Sequence, residues 1–141
     1  MARSILEDDM EYLLTQERSF AECKQDNPGT IYYDEIINGF RCLVMRGPFS
    51  LCAYVGVPEG HKLYGVDYYK PDIQCHGGLT FSDKGGDKRY PSGWWFFGWD
   101  YAHFGDAVFY HYLSGIDFEW CVEHVIRDVA EVVKQFMAMG G

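Results

Sequence analysis

The chain has 141 residues and a formal net charge of −9, from 21 acidic and 12 basic side chains. This length fits a single globular domain over residues 1–141 with a hydrophobic core of its own. The acidic balance argues against general nucleic-acid binding, which requires a basic surface to displace counterions. It is compatible with a basic protein partner or with a small ligand.

The five cysteines are dispersed and include no C-x-x-C pair, a usage typical of a reduced cytoplasmic protein. The N-terminal segment is acidic and lacks the apolar core of a signal peptide. No segment approaches the length of a membrane span. We therefore expect a cytoplasmic protein with no membrane partner.

The predicted elements begin with a helix from Ser4 to about Cys23. Ser4 and Glu7 have the spacing of a capping box, in which each side chain satisfies a backbone donor at the start of a helix. Apolar residues then recur at roughly helical intervals, and Pro28-Gly29 supplies the turn that ends the segment.

Strand patterns replace the helical pattern after this turn. Residues 31–37 and 40–46 flank Asn38-Gly39, a pair that favours the positive φ angles of a type I′ turn and predicts a hairpin. Apolar residues on both faces of 40–46 predict a central strand that is covered on both sides. Further strands are predicted over 49–58, 72–82 and 94–101.

The C-terminal segment has the strongest helical pattern, with apolar residues on one face from Phe118 to Met137. Asp117 is the predicted N-cap, and Gly140-Gly141 ends the helix. The predicted fold is α+β: an antiparallel sheet of about five strands with an N-terminal helix and a long amphipathic C-terminal helix. The breadth of the apolar face on the last helix also allows a homo-oligomer.

Ionisable residues follow the aromatic stretch WWFFGW in the pattern Asp100-x-x-His103-x-x-Asp106, with His76 upstream and His111 downstream. Carboxylates and imidazoles are ligands for divalent metals, but the spacing matches no established metal motif. The same residue types also cap loops and orient bound ligands. We predict neither a metal nor a cofactor, and a metal site stays an alternative.

The stretch HGGLTFS places His76 before a glycine pair, with Thr80 and Ser82 at alternate positions. One interpretation is a pocket wall that offers hydroxyl groups and exposed backbone amides. The alternative is a β-bulge whose glycines solve a packing problem. Cys75 precedes His76, but neighbours on a strand point to opposite faces, so a Cys–His nucleophile pair is not expected.

Basic residues are concentrated in the Gly-rich segment SDKGGDKRYPSG, which contains Lys84, Lys88 and Arg89. Its glycine amides and its guanidinium could close over an anion. The residue order of a Walker loop is absent. A solvated hairpin loop is therefore the favoured interpretation, and the anion-binding loop is the alternative.

Trp95, Phe97, Trp99 and Tyr101 have the same strand parity, which predicts one continuous aromatic face. Most of this face belongs to a core. A ring at the edge of a pocket could instead stack on a base, a contact worth about 1–3 kcal/mol. Both roles are open for Trp99 and Tyr101 at this point.

Three segments in this order, YVGVPEGHKLYG, HGGLTFS and WWFFGWDYAHFGD, resemble a family of small proteins of bacteriophage and prophage genomes. The similarity covers roughly residues 53–106, and a helical tail is typical of the family. It implies a set of fixed polar residues: His61, His76, Thr80, Asp100, His103 and Asp106. The chain departs from the family pattern at Lys62, where proline is expected, and at Tyr101, where cysteine is common. The second departure argues against a mechanism that needs a thiol at that position.

The resemblance implies a phage accessory protein and no particular reaction, and such proteins are expected to act against host defence in the host cytoplasm. The first hypothesis is a binding protein that sequesters a small polar ligand such as a nucleotide signal. Its predicted ligand-binding residues are His76, Thr80, Ser82, Lys84, Arg89, Trp99, Asp100, Tyr101, His103 and Asp106. The alternatives are an acidic inhibitor of a basic host defence nuclease, and a metal-dependent hydrolase built on His76, Asp100, His103 and Asp106.

Overall fold

The computed structural model describes residues 2–3, 18–87, 90–110 and 117–140. Two helices and six strands lie in these ranges. The helices are α1 (Phe20–Gln25) and α2 (Val122–Ala138), and the strands are β1 (Ala2–Arg3), β2 (Ile31–Ile37), β3 (Phe40–Arg46), β4 (Leu51–Pro58), β5 (Phe81–Lys84) and β6 (Trp94–Asp100). The predicted N-terminal helix lies outside the described residues from Ser4 to residue 17. Its predicted continuation to Cys23 is wrong at Ser19, which is extended and is the N-cap of α1, with a capping box to Glu22.

The strands form one sheet in the order β1-β2-β3-β4-β6-β5. Strands β2 to β6 pair antiparallel throughout, and the short β1 pairs parallel with β2. Helix α2 packs across one face of this sheet, so the predicted α+β class is confirmed. Neither helix of the described ranges is long and apolar enough to span a bilayer.

The β2–β3 hairpin has the predicted turn. Asn38 and Gly39 have φ angles of 52° and 89°, the left-handed values that a type I′ turn requires. Strand β3 is central and covered on both faces, as predicted. Cys42 and Val44 belong to the core beneath α2, whereas Leu43 belongs to a second, smaller cluster on the opposite face.

Strand β6 divides its aromatic side chains between the two faces. Phe97, Trp99 and Tyr101, which follows the strand, lie in the main core with α2, and Phe96 lies in the cluster on the opposite face. Trp95 packs against the main core from a half-buried position. The aromatic face predicted from strand parity is therefore confirmed.

The predicted strand 72–82 is largely wrong, because β5 begins only at Phe81. Residues 75–78 form a turn instead, closed by a hydrogen bond from the Gly78 amide to the Cys75 carbonyl at 3.0 Å. Gly77 and Gly78 have φ angles of 70° and 79°, which interrupt an extended strand.

Helix α2 begins later than predicted, with Cys121 and not Asp117 at the N-cap. Phe118 is extended, because its backbone pairs with the loop that follows β6. Its amide donates to the Gly105 carbonyl at 2.7 Å, and its carbonyl accepts from the Ala107 amide at 2.8 Å. Phe118 is consequently exposed and does not belong to the apolar face of the helix.

Candidate functional site

A buried carboxylate organises the polar residues at the end of β6. The Asp106 side chain is only 4% exposed. It accepts hydrogen bonds from His76 Nε2 at 2.7 Å, from Trp120 Nε1 at 2.8 Å and from the backbone amide of His103 at 2.9 Å. These three donors come from the 75–78 turn, from the residue before Cys121 and from the 101–106 loop. Asp106 therefore ties three separate segments together.

Aromatic rings enclose the imidazole of His76. The ring lies parallel to Tyr101, with centroids 4.8 Å apart and an interplanar angle of 8°. Trp120 packs edge-on from another side, also at 4.8 Å. The bond to Asp106 and these two rings fix the orientation of His76, which keeps part of its side chain exposed.

A second histidine–aspartate pair lies beside the first. His103 Nε2 is 3.3 Å from Asp100 Oδ1, each side chain is 34% exposed, and the two imidazole centroids are 5.6 Å apart. Thr80 Oγ1 donates to Asp100 Oδ2 at 3.5 Å. Within the described ranges His103 Nε2 has no hydrogen-bond partner, although it lies within ion-pair distance of Asp100. The His103 ring is therefore held less firmly than that of His76.

Gly77 explains why the two imidazoles lie so close together. A Cβ atom at position 77 would collide with the ring of His103. Gly77 thus solves a packing problem by making room for the His103 ring, as the alternative interpretation of HGGLTFS expects, although the glycines lie in a turn and not in a β-bulge.

A cavity of about 360 Å³ opens beside the second pair, lined by Pro48, Phe49, Ser50, Cys52, Asp100, Ala102 and His103. Phe49 is exposed and makes an edge-to-face contact with exposed Tyr110 at 5.3 Å. One wall of the cavity is thus aromatic, while the other carries a carboxylate and an imidazole. No pattern in the sequence marks Phe49, because only the β4–β6 register, with Cys52 opposite Asp100, brings these walls together.

Trp99 and Tyr101 are predicted site residues that the structure places in the core, each 1% exposed. Trp99 Nε1 donates to the Tyr101 hydroxyl at 3.0 Å, and this hydroxyl donates to Asp128 Oδ2 at 2.6 Å. Burial, and then the bond to Asp128, raises the pKa of Tyr101. These rings connect β6 to α2 and have no face available for a ligand.

The remaining predicted residues do not join this site in the described ranges. Ser82 Oγ accepts from the Tyr68 amide at 2.9 Å. Lys84 pairs with Trp95, five residues before Asp100 on β6 and so roughly 17 Å from it along the strand. Lys88, Arg89 and His111 lie outside the described residues.

His61 is also separated from the other residues that the phage resemblance implies. It follows Pro58, which pairs with Trp94 at the opposite end of β6. Its Nδ1 accepts from the Leu63 amide at 3.1 Å, and its Nε2 lies 3.1 Å from the Phe136 carbonyl. Both ring nitrogens are thus used by the backbone. The cavity of about 540 Å³ beside it is likewise remote from Asp100.

The four residues of the metal alternative form two pairs and not one coordination sphere. Within the described ranges, a single group has three ligand atoms within 4.8 Å of one another: Cys121, Glu123 and His124. That group contains none of the predicted metal ligands.

The cysteine thiols nearest the polar cluster are poor nucleophiles. Burial raises the pKa of Cys75 to about 12 and that of Cys52 to about 11, with Asp128 and Asp100 respectively as the second causes. At neutral pH both groups are therefore protonated. No disulfide involves either cysteine.

Comparisons with protein-family models, with curated protein sequences and with solved structures found no match.

Proposed function

We propose that this protein binds and sequesters a small polar ligand with a planar ring, such as a nucleotide signal, between Phe49 and the Asp100–His103 pair. The observation that carries the proposal is the cavity of about 360 Å³ with these residues on its walls. Its volume falls within the range of about 300–1,000 Å³ that is usual for small-molecule sites.

The two walls offer complementary chemistry for a nucleobase-like ring. Phe49 presents an exposed aromatic face on which a base can stack. The Asp100 carboxylate accepts hydrogen bonds from exocyclic amino or ring N–H groups, and the His103 imidazole donates or accepts according to its tautomer. A neutral ring with amino groups is the ligand class that fits both walls.

The hydroxyl and the thiol that line the cavity are not activated as nucleophiles, which favours binding without reaction. Ser50 is buried, and its hydroxyl donates to the Leu51 carbonyl at 3.0 Å and accepts from the Tyr101 amide at 3.3 Å. Cys52 is held protonated by burial, with its pKa raised to about 11. Neither group is activated as a nucleophile by a neighbouring base.

A protein partner is the second candidate function, favoured by exposed aromatic side chains near the cavity. Phe49, Phe104 and Tyr110 are all large and exposed. Together with the net charge of −9, they suit a basic surface with apolar pockets, such as that of a host nuclease.

The first experiment is to incubate the protein with a panel of nucleobases, nucleosides and linear and cyclic nucleotides, then to denature it by heat and chromatograph what is released. We expect one class to be retained and released intact. Chemically altered ligand would show an enzyme instead. Failure to retain any member, with specific capture of a basic host protein, would favour the inhibitor.

Variants of the two walls locate the site. Phe49→Leu removes the stacking face, and we expect affinity to fall by about 1–3 kcal/mol, or about 5- to 160-fold. Asp100→Asn should weaken binding of ligands with amino donors. Phe104→Leu and Asp72→Asn are the matched controls, since both residues are exposed and outside the cavity lining. Equal affinity in all four variants would contradict the proposed site.

A further inference from the structure

Three side chains of different chemistry meet where α2 begins. Cys121 is the N-cap residue, and Glu123 and His124 belong to the first turn of the helix. One sulfur, one carboxylate oxygen and one imidazole nitrogen from these residues all lie within 4.8 Å of one another. The shortest of these contacts is 2.9 Å, between Cys121 Sγ and His124 Nδ1.

Glu123 supplies the independent indication that a cation belongs here. The residue is only 8% exposed, and its Oε2 is buried without a hydrogen-bond partner among the described residues. A buried carboxylate oxygen that nothing satisfies is costly, and such groups are usually paired or coordinate metals. The positive end of the helix dipole lowers the electrostatic cost of burying this carboxylate, but it supplies neither a hydrogen-bond donor nor a cation to the oxygen.

We propose that Cys121, Glu123 and His124 bind a divalent transition-metal ion of the Zn²⁺ class. A thiolate, an imidazole and a carboxylate are the ligand types that Zn²⁺ takes, and three protein ligands leave a fourth position for water. Binding requires Cys121 as thiolate and His124 neutral, so one thiol proton is released when the ion enters.

The present spacing is close to what such an ion needs. Zn–S and Zn–N distances of about 2.3 and 2.05 Å at a tetrahedral angle place sulfur and nitrogen about 3.6 Å apart. The contact of 2.9 Å between Cys121 and His124 therefore has to open by about 0.7 Å. Cys121 is the N-cap and His124 the third residue of α2, so we expect rotation about their side-chain bonds to supply this change.

Aromatic rings give the site an outer shell. Phe118 and Trp120 contact the His124 ring at centroid distances of 5.6 and 5.9 Å. Trp120 also donates to Asp106, so the metal would fix the start of α2 next to the residue that organises the polar cluster. None of the three ligands lines the cavity of the proposed function, and the two proposals are independent.

The test is to strip the full-length protein with a chelator and titrate it with Co²⁺ and then Zn²⁺. We expect one Co²⁺ per chain, a thiolate-to-cobalt charge-transfer band, displacement by Zn²⁺ and a higher melting temperature with Zn²⁺. Cys121→Ser should abolish the band, and His124→Gln should abolish stoichiometric binding. Glu123→Gln should keep the fold and weaken Zn²⁺ by about tenfold or more.

Two control variants distinguish this site from other thiols and histidines. Cys75→Ser and His103→Gln should leave stoichiometry, band and affinity unchanged. Absence of stoichiometric binding to the wild type would overturn the proposal and leave a thiol–imidazole hydrogen bond. A charge-transfer band that survives Cys121→Ser, or Zn²⁺ affinity unchanged in Glu123→Gln, would overturn it as well. The Glu123→Gln result decides the matter even if the Cys121 variant does not fold.

Discussion

At the scale of single residues, the two neighbouring imidazoles differ in what fixes them. His76 is bonded to the nearly buried Asp106 at 2.7 Å and is stacked on Tyr101, so its orientation is set by partners on both its edge and its face. His103 lacks a hydrogen bond on Nε2 within the described residues, and its ring lies against Gly77 and near Asp100. His103 is therefore the one suited to adjust to a ligand in the cavity it lines.

Asp106→Asn tests the organising role of the buried carboxylate. The amide replaces one acceptor oxygen by a donor, so at least one of the three donors from His76, Trp120 and the His103 amide loses its partner. We expect the free energy of unfolding to fall by about 2–3 kcal/mol in urea denaturation. Asp72→Asn, an exposed carboxylate, is the control and should change it little. An unchanged midpoint in the Asp106 variant would show that the three segments are held by other contacts.

The glycine pair offers a matched test of the Gly77–His103 contact. Gly78→Ala introduces a Cβ into open space at a φ of 79°, so only backbone strain of about 1–2 kcal/mol is expected. Gly77→Ala adds the collision with His103 to the same strain and should cost a further 1–3 kcal/mol or so. The ring signals of His103 in NMR spectra should move in the Gly77 variant alone. Equal effects of the two substitutions would contradict the contact.

At the scale of the elements, local patterns predict those parts of the fold that local contacts determine. The β2–β3 hairpin follows from Asn38-Gly39, and the two faces of β6 follow from strand parity, so both were predictable. The start of α2 was not. Asp117 is a good N-cap type, but Phe118 pairs with the loop after β6, and this long-range pairing keeps residues 117–120 out of the helix. No periodicity within the segment records that contact.

One hydroxyl group adds a polar link to the core packing between the end of β6 and α2. The Tyr101 hydroxyl donates to Asp128 at 2.6 Å and accepts from Trp99 at 3.0 Å. Tyr101→Phe leaves the indole N–H and the carboxylate without this partner, and we expect about 1–3 kcal/mol of destabilisation in thermal or urea unfolding. Tyr69→Phe is the control, since Tyr69 is exposed. Because Tyr101 has no face towards the cavity, ligand affinity should be retained under conditions where the variant is folded.

At the scale of the whole molecule, the sheet brings most of the predicted polar residues to one end. His76, Thr80, Asp100, His103 and Asp106 lie together there. They lie in one turn, at one strand end and in one loop, within a short stretch of sequence. Their common location could therefore be predicted from the sequence. Phe49 lies before β4, Trp120 lies before α2 and Asp128 lies in α2. They contribute through register and packing alone, and no local pattern marks them.

The charge of the whole molecule bears on which part of the proposed nucleotide ligand would be recognised. The net charge is −9, and three of the described arginines have partners of their own. Arg18 pairs with Asp26 at 2.7 Å, Arg41 pairs with Asp34 at 2.6 Å, and Arg46 donates to backbone carbonyls. A ligand's phosphate would therefore meet a repulsive field.

We expect the affinity for a nucleoside to equal that for its monophosphate or to exceed it by up to about fivefold. Exposed charge interactions are worth about 1 kcal/mol or less, which sets this upper bound. Calorimetric titration at about 0.01 M and about 0.15 M salt measures both affinities. The Debye length falls from about 30 to about 8 Å between these conditions, so the difference between the two affinities should shrink. The contrary result is a monophosphate that binds more tightly at low salt and loses this advantage in Arg89→Ala. Such a result would mean that the Gly-rich segment from Lys84 to Arg89 closes over the phosphate, and that the predicted anion loop belongs to the site after all.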